Sequence, residues 1–359
     1  MNSYVVIMAG GSGERFWPLS RMRKPKQLLA LTSSSMMIEE AIDRIAPLIP
    51  HERILIITSE VLRQPLIDAL PGIPSENVIA EPAKRNTAPC LALACSVIRA
   101  RENGNDALMA VLTADHFIGN TDAFRADVSR ALTFASTYDA LVTIGIPPTR
   151  PETGYGYIHV GEPTVVSGVS HVVEFKEKPD LTTALEYVRS GRYVWNSGMF
   201  FWRTEALRSA MLNVLPDVGN AIDGLTADLA ANDAGHMSEM FHALPDISID
   251  YGVMERSTNV HVVPATFPWD DVGSWDALER MRPLDNAQNV VDGVVTVVDT
   301  EGSIIVNAHG SAHTVTTVGL RDTVVVVTPD ATMVCPKDRA QDVKRIVTTL
   351  RAQDRHDIL

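Results

Sequence analysis

The run Tyr4-Val5-Val6-Ile7-Met8-Ala9-Gly10-Gly11-Ser12-Gly13-Glu14-Arg15-Phe16-Trp17-Pro18-Leu19-Ser20, continued by Arg21 and then by Lys24-Pro25-Lys26-Gln27, decides how the rest of the chain is read. It opens with a short apolar segment, the mark of a buried strand. A glycine turn follows at once. Gly10, Gly11 and Gly13 let backbone N–H groups come close to a ligand, and such turns cradle phosphate. Next comes a basic segment. Arg15, Arg21, Arg23, Lys24 and Lys26 stand against the acid Glu14, a local charge of +4 in a chain of formal net charge −13. An acidic protein repels a nucleotide overall, so a local basic patch has to supply the attraction. Two known phosphate loops are excluded. A Walker loop needs Gly-Lys followed by Ser or Thr. A dinucleotide fingerprint needs a third glycine where Phe16 stands.

Downstream, β and α signals alternate. Met36 to Leu48 reads as an amphipathic helix, Arg53 to Thr58 as a buried strand and Glu60 to Leu70 as a helix ended by Pro71-Gly72. Asn77 to Ala80 is a short strand that delivers Glu81-Pro82-Ala83-Lys84-Arg85-Asn86-Thr87. Asn86 or Thr87 can cap the helix that follows, to about Glu102. Ala107 to Thr113 is another strand, with Asp115 and His116 at its carboxyl end. This alternation predicts an α/β fold: a mostly parallel, Rossmann-like sheet with helices on both faces. Ligands in such sheets bind at the carboxyl ends of the strands, where the glycine turn, the Glu81 to Asn86 segment and Asp115 all fall.

The second half is less regular. Ala140 to Ile146 and Val169 to Lys178 read as strands, Asp180 caps a helix that closes at Gly191, and Trp195 to Trp202 mixes a turn with a strand. A helical region runs from Thr204 to about Leu244. Near Pro283 to Asn289 the character changes to short valine-rich runs separated by Asp-Gly, Glu-Gly and His-Gly turns, and a terminal helix covers Asp338 to Arg351. We therefore expect a catalytic domain over 1–283 and a small β-rich domain over 284–359, either a few coils of β-helix or a meander. Its strands are too short to bury themselves alone. The small unit is expected to pack on the larger one or on a second subunit, and to carry no chemistry.

Composition narrows the function classes. The 359 residues contain no apolar run long enough to cross a membrane and no signal-peptide pattern at the start. Cys90, Cys95 and Cys335 match no zinc spacing and argue against a disulfide framework, so the chain reads as cytoplasmic. No long basic face argues for nucleic acid.

The motif G-G-S-G-E-R-F-W-P-L-S followed by P-K-Q resembles the signature of the sugar-1-phosphate nucleotidyltransferases. The W-P-L-S-R and P-K-Q details resemble its mannose-1-phosphate guanylyltransferase branch. The likeness extends over nearly the whole chain. It implies a nucleotide-diphospho-sugar transferase fold and a reaction of GTP with α-D-mannose 1-phosphate, giving GDP-mannose and pyrophosphate, assisted by Mg²⁺. It also implies a homodimer. Longer relatives carry an added isomerase domain, so this chain reads as monofunctional.

The resemblance assigns candidate roles. Arg15 and Lys26 hold the triphosphate, with Gly13 in the loop. Gly10, Gly11, Glu81, Pro82 and Asn86 frame the guanine. Asp115 is the first metal carboxylate; a carboxylate at a strand end suits Mg²⁺, which takes one or two of them beside substrate phosphates. In Trp269-Asp270-Asp271-Val272-Gly273-Ser274-Trp275 the likeness selects Asp271 as the second, and His116 reads as a neighbour rather than a ligand. On the sugar side stand Gly156 of T-G-Y-G-Y, Glu177 and Lys178 of F-K-E-K-P, and Asn196 of W-N-S-G-M-F. The tract Ser248 to Arg256 also matches but receives no role. Two alternatives remain: a nucleotidyltransferase for another hexose or heptose phosphate, and an inactive nucleotide-sugar-binding regulator.

Overall fold

The structure, a computed structural model, describes residues Met1–Leu359. In chain order the larger unit contains β1 (Ser3–Met8), α1 (Met37–Ile45), β2 (Ile54–Ser59), α2 (Glu60–Ala69), β3 (Val78–Glu81), α3 (Thr87–Arg101), β4 (Leu108–Thr113), β5 (Phe117–Ile118), α4 (Thr121–Thr137) and β6 (Leu141–Ile146). There follow β7 (Tyr157–Pro163), β8 (Ser170–Lys176), α5 (Leu181–Ser190), β9 (Tyr193–Arg203), α6 (Thr204–Val214), α7 (Pro216–Ala231), α8 (Ala234–His242), β10 (Val260–Pro264) and β11 (Trp269–Asp270).

The main sheet has the order β3-β2-β1-β4-β9-β6-β10-β8-β7. β1 pairs in parallel with β2 and β4, and β2 with β3. β9 runs antiparallel between β4 and β6, β10 is parallel to β6, and β8 is antiparallel to both β10 and β7. Only β9 and β8 therefore run against the rest, and the mostly parallel expectation holds. Alternation along β1 sends Val5 and Ile7 to a core with α1, α2 and α4, and Tyr4 and Val6 to one with α3, α6 and α7. Helices thus cover both faces. α4 has no counterpart among the expected elements. Asn120 caps it by accepting from Ala123 N–H at 3.1 Å, and Phe124, Val128 and Ala131 supply its buried stripe between Arg125, Asp127 and Arg130. Asp180 caps α5 and Gly191 closes it in left-handed backbone, as read from the sequence.

The C-terminal region is a small β-helix. β12 (Val290–Asp292), β14 (Ile304–Asn307) and β16 (Thr323–Val327) stack in parallel on one side, and β13 (Val295–Val298) and β15 (Val315–Val318) on another. β17 (Thr332–Pro336) closes the first stack antiparallel to β16, and α9 (Val343–Ala352) follows. A β-helix, not a meander, is therefore the outcome, and the buried amides explain how its turns are held. Asn289 donates to Thr300 O at 2.8 Å and accepts from Ser303 N–H at 2.9 Å, while Asn307 donates to Val294 O and His313 O. Gly293, at φ +85°, passes so close to Asn307 O that a Cβ would stand 2.3 Å from it. This unit does not stand apart. One core joins Val290, Ile304, Val306, Val324, Val343 and Val347 to Phe16, Trp17, Val272 and Trp275 of the larger unit.

Candidate active site

The glycine turn leaves β1 with its first carbonyl fixed. Ala9 O accepts from Gln27 Nε2 at 2.8 Å and from Thr58 Oγ1 at 3.0 Å, both buried. Gly13 has φ +61°, and a Cβ there would lie 2.4 Å from Lys26 Cβ, so the turn and the P-K-Q segment fit only because position 13 is glycine. Beyond it lies a cavity of about 380 Å³ lined by Ser12, Gly13, Arg15, Lys26, Asp115 and Asp271, among others. All four residues read from the sequence as catalytic thus meet at one cavity.

Lys26 lines it and is only 5% exposed. Its ammonium donates to Asp115 Oδ2 at 2.9 Å and to Asp271 O at 2.7 Å. Burial pushes the Asp115 carboxyl up, but the Lys26 charge and hydrogen bond outweigh this and hold it below its ordinary value. Asp271 moves the other way. Burial pushes it up, against the Tyr155 hydroxyl, which donates to Oδ1, and the nearby Lys26. The antiparallel pairing of β5 with β11, Trp269 against Ile118 and Asp270 against Phe117, is what brings the two aspartate loops together. Val272, a fully buried β-branched residue at φ +49°, turns the chain immediately after Asp271.

The neighbours of these carboxylates have partners of their own. His116 Nδ1 accepts from Trp269 Nε1 at 3.1 Å, and burial pushes the ring down to about 4, so it is neutral. Asp270 is directed elsewhere. It accepts from Arg280 at 2.6 and 3.2 Å and from Val272 N–H at 2.8 Å. Of the two adjacent acids, Asp270 therefore braces the loop and Asp271 faces the cavity. Asp115 Oδ1 and Asp271 Oδ2 keep no side-chain partner within the chain. A Cβ at Gly273 would lie 3.0 Å from Asp271 Oδ2, so glycine leaves that oxygen accessible. Two hard oxygens with free lone pairs fit a small divalent cation.

The remaining nucleotide-side candidates lie at the ends of β1 and β3. Glu81 Oε2 borders Gly10. Burial pushes its carboxyl up to about 7, against a hydrogen bond from Cys90 that lowers it. Pro82 is half-buried beside it. Asn86, at φ +65°, accepts from Thr87 N–H at 2.9 Å and caps α3. Asn86 rather than Thr87 is thus the cap. Thr87 Oγ1 instead accepts from Ile249 N–H at 2.8 Å.

On the sugar side, Gly156, Glu177, Lys178 and Asn196 form one cluster. Asn196 N–H donates to Gly156 O at 2.8 Å, and Lys178 pairs with Glu177 Oε1 at 2.8 Å. Glu177 Oε2 is buried without a partner, and a Cβ at Gly156 would lie 2.4 Å from it. Lys178 holds φ +47°. Three of the nine non-glycine residues at positive φ, Asn86, Lys178 and Val272, lie among the candidate ligand groups, and the other six stand in turns and bends elsewhere.

Three contributors carry no assignment from the sequence. Asp250 accepts from Asn196 Nδ2 at 2.8 Å, and burial with the Glu177 charge pushes it up to about 6. Glu255 accepts from Glu177 N–H at 2.9 Å and fixes the loop. Both belong to the Ser248 to Arg256 tract, which the motif likeness locates without a role. Tyr155 connects the two sides. Its hydroxyl reaches Asp271, its carbonyl accepts from Lys178 N–H at 3.2 Å, and its ring packs on Trp195 and Trp269. Its place between the glycines of T-G-Y-G-Y is the one signal the sequence holds for it.

Comparison with known proteins agrees with this geometry. Residues 4–288 match the family model described as nucleotidyl transferase, and residues 293–350 match the mannose-phosphate isomerase/GMP-like β-helix domain. The chain is 42% identical over 370 residues to a mannose-1-phosphate guanylyltransferase of Escherichia coli K12, covering 99% of this chain and 74% of that one. It is 39% identical over 362 residues to the alginate biosynthesis protein AlgA of Pseudomonas aeruginosa, covering 98% and 73%. A crystal structure described as mannose-1-phosphate geranyltransferase from Thermus thermophilus superposes with a TM-score of 0.88 at 36% identity, over 98% of this chain and all of that one. No helix here is long and apolar enough to cross a membrane. A glycine turn locked against Lys26, two facing aspartates, the sugar-side cluster and these likenesses over the full length lead to one statement: the chain belongs to the nucleotidyl transferase family and, within it, to the mannose-1-phosphate guanylyltransferases.

Proposed function

We propose that this chain transfers GMP from GTP to α-D-mannose 1-phosphate, giving GDP-mannose and pyrophosphate. The observation that carries the mechanism is the Lys26 ammonium held between Asp115 and the Asp271 carbonyl, on the wall that also holds Arg15. The attacking group is a phosphate oxygen that is already anionic at neutral pH, so no general base is needed. The P–O bond to the β-phosphate breaks as the new P–O bond forms, and pyrophosphate leaves with the electron pair. Such a transfer depends on positioning and charge neutralisation.

Gly13 and the loop around it give backbone N–H groups to the triphosphate, and Arg15 and Lys26 neutralise the charge that grows on the leaving pyrophosphate. Gly10, Gly11, Glu81, Pro82 and Asn86 frame the guanine. Lys178 holds the sugar phosphate, while Glu177 and Asn196, with Asp250 behind them, read the sugar hydroxyls and Gly156 leaves room. Asp115 and Asp271 would hold Mg²⁺. When bound, the ion supplies positive charge that neutralises phosphate oxygens. Tyr155 orients Asp271 for that role. The catalytic unit is taken as residues 1–283 and the β-helix unit as 284–359. A cytoplasmic homodimer is the expected working form.

A panel of nucleoside triphosphates against sugar 1-phosphates, read as pyrophosphate release, tests the assignment. GTP with mannose 1-phosphate should give the highest kcat/KM. A preference of more than tenfold for another base or sugar would refute it.

A further inference from the structure

The segment from Lys337 through α9 lays one face along the glycine loop and the aspartate loop. Its members on that face recur at Gln341, Lys344, Val347 and Arg351, the spacing of one helical stripe. Three of them meet the larger unit. Gln341 Nε2 donates to Ser274 Oγ at 2.9 Å, Val347 joins the core that contains Phe16 and Trp17, and Arg351 pairs with Glu14 at 2.9 Å. The fourth, Lys344, makes no side-chain hydrogen bond and no ion pair. It lines the same cavity as Arg15, Lys26, Asp115 and Asp271.

An unpaired lysine in the first turn of a helix is unfavourable, because the helix dipole places positive charge there already. Asp342 at the helix N-cap is a nearby charge that offsets it in part, but no carboxylate forms an ion pair with Lys344, so its ammonium is free to meet an anion in the cavity. Lys26 has already committed two of its donors to Asp115 and Asp271. Arg15 likewise has no ion pair or side-chain hydrogen bond. The two unpaired cations therefore face one cavity from two different units, Arg15 from the glycine loop and Lys344 from the C-terminal helix.

We propose that Lys344 binds the β- and γ-phosphates of the nucleotide, and hence pyrophosphate, so that the C-terminal helix supplies one wall of the triphosphate site. This rests on the function proposed above, and it replaces the expectation that the C-terminal unit carries no chemistry. The flexible stem of lysine suits a point contact to phosphate at the rim of an open cavity. The Arg351–Glu14 pair and the Val347 packing hold the helix in place, so that Lys344 approaches the phosphates from a fixed support.

The experiment measures binding of inorganic pyrophosphate by calorimetry, with the KM for GTP and for mannose 1-phosphate, on the full chain and its variants. Lys344→Ala and Lys344→Gln should each weaken pyrophosphate binding and raise the GTP KM by about 10–100-fold, the weight of a lost charge-assisted contact. The mannose 1-phosphate KM and the thermal melt should not change. Lys344→Arg should keep most of the affinity. Arg345→Ala, next along the same helix but on another face, serves as the control and should match the wild type. Pyrophosphate and GTP bound by Lys344→Ala as tightly as by the wild type would overturn the inference while leaving the proposed function intact. A wild-type chain that binds neither would overturn both.

Discussion

Lys26 ties together three segments far apart in the chain: the P-K-Q turn, the end of β4 and the loop after β11. From its place in a loop, removal would be expected to leave folding untouched. Its burial changes that. Lys26→Ala should lower kcat/KM by about 10²–10³, as for loss of one preorganised donor. It should also lower the melting temperature by at least about 2 °C, because Asp115 is left half-buried without its counter-charge. Lys24 is exposed and unpaired, so Lys24→Ala should match the wild type in both measurements. Equal kcat/KM for the two alanine variants would remove Lys26 from the mechanism. Glu81 makes a second residue-level statement. A carboxyl held near 7 by burial is ionised above that pH and protonated below it. Only the ionised form offers acceptors on both oxygens to the N–H donors of guanine. The KM for GTP should therefore fall as pH rises from about 6 to about 8, and Glu81→Gln should flatten the profile. A wild-type KM that does not change over this range would exclude Glu81 from the base site.

At the scale of elements, the Ser248 to Arg256 tract acts as a bracket behind the sugar side. Asp250–Met254 forms a short π-helical turn, which sets Asp250 against Asn196 and leaves Glu255 at its end to hold Glu177 N–H. Asp250→Ala should raise the KM for mannose 1-phosphate about tenfold and leave that for GTP within about twofold. A larger effect on GTP would place the tract elsewhere. What could be read in advance divides on the same physical grounds. β1, β2 and β4 are buried on both faces, so their apolar runs stand out against the turns that bound them. α4 is one-sided, with its apolar stripe Phe124, Val128, Ala131 and Phe134 broken up by Arg125, Asp127 and Arg130, so no continuous apolar run marks it as one marks the strands. The four cavity residues are legible because each belongs to a local motif. Tyr155 and Asp250 are not, because their roles arise from contacts with Asp271 and Asn196, more than fifty residues away in the chain.

For the molecule as a whole, the core shared between the β-helix and the larger unit governs how it unfolds. Phe16, Trp17, Val272 and Trp275 are buried against Val290, Ile304, Val324 and Val343, so neither unit keeps its packing without the other. Calorimetry should show one cooperative transition for the chain, and truncation after Pro283 should expose this surface and give aggregation with loss of activity. Two resolved transitions, or a soluble and fully active truncated chain, would contradict this. The positions of the tryptophans have a further consequence. Of the five in the chain, Trp17, Trp195, Trp269 and Trp275 stand in or behind the walls of the site, and only Trp202 lies away in the core of the sheet. Trp269 is hydrogen-bonded to His116 and Trp275 to the carbonyl of Trp17. The intrinsic ultraviolet emission of this protein is thus weighted toward the chemistry rather than the scaffold, which makes the unlabelled chain its own optical probe for the arrival of nucleotide and sugar phosphate.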